Sequence, residues 1–394
     1  MRVLLFTGKG GVGKTTTAVA TAALAASQGR KALVLSTDPA HSLADAIGVR
    51  LGGEPVEVDT GLIALQVDGQ AAFERSWREV QDYLRAVLER AGVDALQADE
   101  LTVLPGAEEV LALLELRRQV DSGRYDLVVV DCAPTGETLR LLSLPDALTW
   151  YVDKVFPAQR RALRAVRPLL SRVAGPTVPE DSVFAAVERL HRELTGVRQL
   201  LTGPSSSVRL VLTPEAVVVA EARRTLTSLA LYGYRVDGIV ANRVLPPSDD
   251  PWMSGWAAAQ AAQLELVRAD TAPLPLLVAP YAGAEPVGLA ALVDFGRQLY
   301  GDLDPLAVAP DIEDPLRVER DSDGFLLSLA LPLARIEDLH LARAGDDLVV
   351  TVAGRRRLLA LPSALQRCTV AGARLVGARL VVRFEPDPDL WPSW

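Results

Sequence analysis

The chain has 394 residues, 49% of them hydrophobic and 23% charged, which is apolar material for a large core and length for about two or three domains. A net charge of -9 excludes a broad basic surface for nucleic acid, and two distant cysteines, Cys132 and Cys368, exclude a disulfide framework and a four-cysteine or Cys-x-x-Cys zinc site. No run of about 18 apolar residues is present to span a bilayer, so the expectation is a protein of the reducing cytoplasm with no integral membrane segment.

Residues 3–6, Val-Leu-Leu-Phe, form a short apolar run suited to a parallel strand covered on both faces. A phosphate-loop frame follows, Gly8, Lys9, Gly10, Gly11, Val12, Gly13, Lys14, Thr15 and Thr16, and leads into a helix over 14–27 that Gly29 closes. In that frame glycines let backbone N–H groups close on phosphate oxygens, Lys14 reaches the terminal phosphates and the Thr15 hydroxyl ligates magnesium. The helix adds its positive dipole end. A loop that begins at Gly8 leaves no room ahead of it for a secretory signal. Lys9 has no task in this cradle; one lysine suffices and the second needs a reason.

A second buried strand over 31–36 ends in Thr37-Asp38-Pro39-Ala40-His41-Ser42, and a third over 126–131 ends on Asp131. Ligands of open α/β sheets gather at these strand ends. Asp131 is placed to hold magnesium through water, opposite Thr15, and Asp38 is the best candidate by position to orient an attacking water. His41 reads either as a partner of that acid or as a plain loop residue, and Ser42 as a candidate helix cap. The run Asp131-Cys132-Ala133-Pro134-Thr135-Gly136-Glu137-Thr138-Leu139-Arg140 continues into a loop that its proline and glycine make able to switch. Cys132 reads as a small buried residue, since no partner base is evident.

Two helix-rich insertions carry apolar stripes. Phe73, Trp77, Val80, Leu84, Val87 and Ala91 share one helical face, as do Val183, Val187, Leu190, Leu194, Val197 and Leu201; Trp150, Tyr151, Phe156, Leu163 and Leu170 precede the second stripe. Ordinary packing against the sheet is the favoured reading, and a client groove lined by surplus apolar faces is the sharper one. Gly203-Pro204-Ser205-Ser206-Ser207 reads as a flexible closing loop. Strands over 208–212, 236–241 and 274–278, with a helix over 217–229, complete an α/β unit with a mostly parallel, helix-covered sheet.

Asp and Pro cluster over 301–315 as in a linker. Beyond it apolar residues alternate, at Phe325, Leu327, Leu329 and Leu331, at Leu348, Val350 and Val352, and at Leu380, Val382 and Phe384, which predicts a small all-β sandwich. Arg355, Arg356 and Arg357 beside Gly354 read as a solvated edge that blocks strand addition.

The run Lys9 to Thr15 resembles the deviant phosphate loop of dimeric P-loop ATPases. With the segments Thr37 to Leu43 and Ala133-Pro134-Thr135-Gly136 with Thr138-Leu139-Arg140, Pro105-Gly106, and Thr213-Pro214-Glu215, residues 1–300 resemble the arsenite-transporting and guided-entry (GET) ATPase family. Residues 314–385, with Leu329-Ala330-Leu331-Pro332 and Gly345-Asp346-Asp347-Leu348, resemble the α-crystallin domain of small heat shock proteins. The resemblance implies ATP and ADP with Mg2+ as ligands, Lys9 reaching across a homodimer to the partner's nucleotide, Asp38 as the water-activating acid, Asn242 as an adenine contact and residues around Pro280 flanking the base. It also implies a nucleotide-gated hydrophobic groove for membrane-protein targeting or chaperoning.

The alternatives are a nucleotide-gated scaffold or holdase working through the α-crystallin-like domain and, less favoured, an arsenite-pump subunit. Two distant cysteines cannot build the three-thiol metalloid site within one chain, and the Cys-x-x-Cys pair that binds zinc in targeting factors is absent, so no zinc is expected. The expected organisation is an ATPase domain over 1–303 with insertions near 70–100 and 148–203, a linker over 304–313, the β-sandwich over 314–385 and a tail over 386–394.

Overall fold

A computed structural model of the protein describes residues 1–38, 42–67, 107–133, 135–136, 181–307 and 314–391. In chain order the first unit contains β1 (Arg2–Thr7), α1 (Lys14–Ser27), β2 (Ala32–Ser36), α2 (Ser42–Ile47), β3 (Val56–Asp59), β4 (Leu62–Gln66), α3 (Ala107–Asp121) and β5 (Leu127–Asp131). It continues with α4 (Asp181–Thr202), β6 (Ser206–Leu212), α5 (Ala216–Tyr232), β7 (Val236–Val244), α6 (Pro251–Thr271), β8 (Leu276–Pro280) and α7 (Leu289–Tyr300). The strands form one sheet in the order β3-β4-β2-β5-β1-β6-β7-β8, parallel throughout except for the antiparallel edge strand β3.

Every residue of β1, β2, β5 and β6 is buried, the signature of strands covered on both faces, and it explains why β1, β2 and β5 are built on apolar runs rather than on alternation; β6, Ser-Ser-Val-Arg-Leu-Val-Leu, departs from that pattern. The first predicted helix coincides with α1, and the predicted strands over 31–36 and 126–131 match β2 and β5 to within a residue. The strand expected over 274–278 runs instead over β8, two residues later.

The closing loop proposed for 203–207 needs correction. Ser206 and Ser207 are buried and belong to β6, paired in parallel with Val3 and Leu4. Small polar residues are tolerated there because Arg2 Nη2 donates to Ser207 Oγ at 2.6 Å and to Asp237 Oδ2 at 2.8 Å. Arg209 Nε donates to Asp237 Oδ1 at 3.3 Å and its Nη1 to the Tyr300 hydroxyl at 2.7 Å. A serine-rich run is loop-like by composition, but a buried ionic network supplies the partners that composition does not reveal.

Of the apolar stripes, Leu194, Val197 and Leu201 pack into the main core around the sheet. Residues 73–91 and 148–173 lie outside the described residues.

The second unit contains β9 (Leu316–Asp321), β10 (Gly324–Ala330), β11 (Leu339–Ala344), β12 (Asp347–Val352), β13 (Arg355–Ala360), α8 (Ser363–Gln366), β14 (Cys368–Val376) and β15 (Arg379–Pro386). Two antiparallel sheets, β14-β15-β10-β9 and β11-β12-β13, make the expected sandwich. Leu327 stands opposite Val382 and Leu329 opposite Leu380, so the alternating positions meet in the sandwich core.

That core is completed from outside: Leu231, in the last turn of α5, is fully buried in it. Burying such a side chain contributes about 1.5–3 kcal/mol. Thr227 Oγ1 donates to the Pro332 carbonyl at 2.7 Å, Arg235 pairs with Asp314, and Arg357 Nη1 donates to the Leu231 carbonyl. The reading of Arg355 to Arg357 as a solvated edge is therefore corrected at Arg357, which is buried; Arg355 and Arg356 are exposed. The strand's alternation turns one arginine of three inward, where the open carbonyls of the last turn of α5 need a donor.

Candidate active site

The phosphate loop joins the C-terminal end of β1 to α1. Gly8 fits only because it has no side chain, since a Cβ there would lie 2.1 Å from the Val211 carbonyl oxygen. Gly13 adopts φ 92° as the N-cap of α1, and a Cβ on it would meet Asn242 Nδ2 at 2.2 Å. Lys14 is buried, and its Nζ lies 3.4 Å from the Lys9 carbonyl oxygen. Lys9 is half-buried, while Gly10 and Gly11 are exposed. The N–H groups at the start of α1 and the Lys14 ammonium thus share one concave turn, an anion site by construction.

Beside it three neighbouring strands end on polar residues. Gln66 of β4 is opposite Ser36 of β2, and Ser36 is opposite Asp131 of β5. Thr15 Oγ1 donates to Asp131 Oδ2 at 2.8 Å, and Ser36 Oγ lies 3.4 Å from the same oxygen. Asp131 Oδ1 is buried and has no hydrogen-bond partner. Burial pushes this carboxyl up from 3.8 to about 7; the Thr15 hydroxyl and the Lys14 charge oppose that shift, and Asp38 adds to it. A leftover acceptor oxygen next to a threonine hydroxyl fits a hydrated divalent cation such as Mg2+, for which Asp131 and Thr15 supply oxygen donors.

Asp38 follows β2, with its N–H donating to Ser36 Oγ at 3.2 Å and its carbonyl accepting from Gln66 Nε2 at 2.8 Å. Thr37 ties the two switch segments together: its N–H donates to the Asp131 carbonyl at 3.0 Å, and its hydroxyl accepts from the Ala133 N–H at 3.4 Å. Pro39, Ala40, His41, Pro134 and 137–140 lie outside the described residues.

Asn242 comes from β7 to the back of the phosphate loop. Its Nδ2 donates to the Val12 carbonyl at 2.9 Å, and its Oδ1 accepts from the Arg243 N–H at 2.9 Å. The side chain therefore braces the loop, a contact worth about 1 kcal/mol. Pro280 ends β8, is exposed and is in register with Val244. Sequence reasoning missed Gln66. Its signal was a lone polar residue closing the apolar strand Leu62-Ile63-Ala64-Leu65, the pattern already used for Asp131.

The site brings together an anion-receptive turn, a buried acid, Asp131, beside Thr15, and a second acid, Asp38, held by its backbone on the same sheet edge. The sequence profile of the anion-transporting ATPases matches residues 1–301, and that of the HSP20-like domain found in ArsA matches residues 322–384. A Chlorobaculum tepidum protein named "Putative arsenical pump-driving ATPase" is 37% identical over 93% of this chain and 91% of its own length. An uncharacterised protein of Streptomyces coelicolor is 39% identical over 100% of this chain and 99% of its own. The ATPase GET3B of Arabidopsis thaliana is 33% identical over 74% of this chain and 77% of its own. The chain belongs to the anion-transporting, ArsA and GET3 family of ATPases: it is an ATP-hydrolysing enzyme carrying an HSP20-like domain.

Proposed function

We propose that the protein is a homodimeric, Mg2+-dependent ATPase of the cytoplasm whose nucleotide state gates a hydrophobic groove, serving membrane-protein targeting of the tail-anchored kind or chaperoning. The ATPase domain spans 1–303 with its client-binding insertions, 304–313 is the linker, and 314–385 is the α-crystallin-like domain. The observation that carries the reading is the Thr15 and Asp131 pair with its leftover oxygen, joined through Thr37 to the segment that presents Asp38.

In this reading Gly8 to Thr16 hold the phosphates of ATP, Lys14 offsets their charge, Asn242 steadies the loop and contacts adenine, and Pro280 flanks the base. Asp38 orients the attacking water and accepts its proton. Lys9 of each copy reaches the other's phosphates and stabilises charge that develops as the terminal phosphoryl leaves. Asp131 and Thr15 would hold Mg2+, which when bound would supply neutralisation of the phosphate charge. Asp131 and Thr15 keep its place, and Thr37 passes a change there to both switch segments.

Phosphate release by the native chain, Lys14→Ala and Asp38→Asn tests the enzymatic roles, and Asp38→Asn purified with ATP tests the client role through co-purifying apolar segments identified by mass spectrometry. Native turnover in Lys14→Ala, or an empty Asp38→Asn dimer, would sink the corresponding half. A second reading, a nucleotide-gated scaffold or holdase, draws support from the seam at Leu231 and Arg357. Truncation after residue 303 with Leu231→Ser separates the two: lost partner capture with intact hydrolysis favours the scaffold.

A further inference from the structure

The seam between the two units holds a cavity of about 330 Å3, at the lower end of the range for small-molecule sites. Arg198 from the last turns of α4, Arg235 from the turn between α5 and β7, and Arg357 from β13 line it. Asp314, Pro315 and Leu316, where the sandwich begins, complete the wall. Among the described lining residues three guanidinium groups therefore stand against one carboxylate. Like charges gathered in a concave place repel one another unless negative groups offset them.

The protein supplies part of that offset. Helices α4 and α5 both end at the cavity, where Arg235 Nη1 donates to the Thr202 carbonyl and Arg357 Nη1 to the Leu231 carbonyl. A helix C-terminus carries about half an elementary negative charge, so the two ends together balance roughly one arginine. Asp314 balances a second through its pairing with Arg235, and about one positive charge is left over. Asp314 is a weakly held partner, since its side chain is 59% exposed and exposed ion pairs contribute little. Its backbone stays tied when the carboxylate turns to water, because its carbonyl accepts from Arg379 Nη2 at 3.1 Å and the Pro315 carbonyl accepts from the Ala330 N–H at 2.7 Å. With that carboxylate turned away the cavity carries about two positive charges, which match a phosphomonoester near neutral pH.

We propose that this cavity binds a small organic phosphomonoester, with its phosphate gripped by Arg198 and Arg235 in place of Asp314 and its carbon skeleton laid along Pro315 and Leu316. Guanidinium forks suit two-point contact with phosphate oxygens, and the proline and leucine offer an apolar wall that a bare inorganic anion would not use. Arg198 and Arg235 belong to the ATPase unit and Leu316 to the sandwich, so a bound ligand fastens one unit to the other. The site is separate from the phosphate loop and does not depend on the dimer or on a client.

The full chain, saturated with ADP and Mg2+ so that the phosphate loop is filled, is titrated with glycerol 3-phosphate and followed by calorimetry and by hydrogen exchange. Saturable binding is expected, with exchange over residues 195–202 and 314–318 slowed about tenfold. Arg198→Gln should weaken binding about tenfold, by loss of a charged fork. Asp314→Asn removes the competing carboxylate and should tighten binding about threefold. Opposite signs at two neighbouring residues are not what a merely structural seam would give. No binding, an affinity that Arg198→Gln leaves unmoved, or an Asp314→Asn variant that fails to tighten it overturns the proposal, as does protection that sodium chloride reproduces at equal ionic strength. Inorganic phosphate binding as tightly as glycerol 3-phosphate overturns the role given to Pro315 and Leu316. Capture of a phosphoserine peptide without binding of glycerol 3-phosphate reassigns the cavity to a protein partner and likewise overturns the proposal.

Discussion

Two aspartates are buried in the same parallel sheet, and the protein treats them differently. Asp237, near the start of β7, is held by Arg2 and Arg209, with Ser207 and Tyr300 completing the network. Asp131, the last residue of β5, receives a hydroxyl from Thr15 on one oxygen and nothing on the other. Full compensation marks a charge that holds the fold; a missing partner at a strand's C-terminal end marks a charge kept for a ligand. The pair separates structure from chemistry within one core.

Substitution should break the comparison along that line. Asp131→Asn should cut hydrolysis on the order of 10^3-fold, measured as phosphate release, while leaving the fold intact. Asp237→Ala leaves two arginines facing an empty site and should cost about 3–5 kcal/mol in denaturant unfolding, with activity retained in whatever stays folded. If Asp237→Ala spared stability and abolished chemistry, the assignment would be reversed.

Acidity sharpens the same contrast. The Asp131 carboxyl rises from 3.8 to about 7 on folding, so its stabilising contribution is complete below pH 3.8 and is lost as pH climbs through 7 in the nucleotide-free protein. Asp131→Asn should therefore change the melting temperature little at pH 4 and raise it at pH 8, by up to about 4 kcal/mol in stability terms. A variant equally stable relative to native at both pH values would contradict the buried, uncompensated state.

Smaller effects are expected at two further buried polar residues. Arg357→Ala removes the donor to the Leu231 carbonyl and should cost about 1–3 kcal/mol, read as earlier unfolding of the sandwich by hydrogen exchange. Gln66→Leu frees the Asp38 carbonyl and should lower kcat about tenfold with KM nearly constant, the mark of a positioning residue. A rise in KM alone would place Gln66 in nucleotide binding instead.

These residues also show what the sequence could disclose. The phosphate loop, α1 and Asp131 are legible because their roles are local: a glycine frame, a strand before it, a helix after it, an acid at a strand end. Ser206, Ser207 and Arg357 are misread because their partners lie far along the chain, at Arg2, Val3 and Leu231. Composition reports what a residue prefers on average, and a distant partner can reverse that preference. Asn242 shows a third case, in which a motif locates the residue but only the packing reveals that its amide reaches Val12.

Leu231 carries a consequence for synthesis. The ribosome makes α5 and its sheet well before the sandwich strands β10 and β13 against which that helix packs and the sandwich core in which the leucine is buried. At about 5–20 residues per second, the nascent chain takes roughly 8–30 s from Leu231 to Phe384. Throughout that interval the emerging ATPase half presents an apolar knob that its own C-terminal sandwich has yet to cover, so a stalled or prematurely terminated chain would be prone to aggregate rather than simply lack one domain.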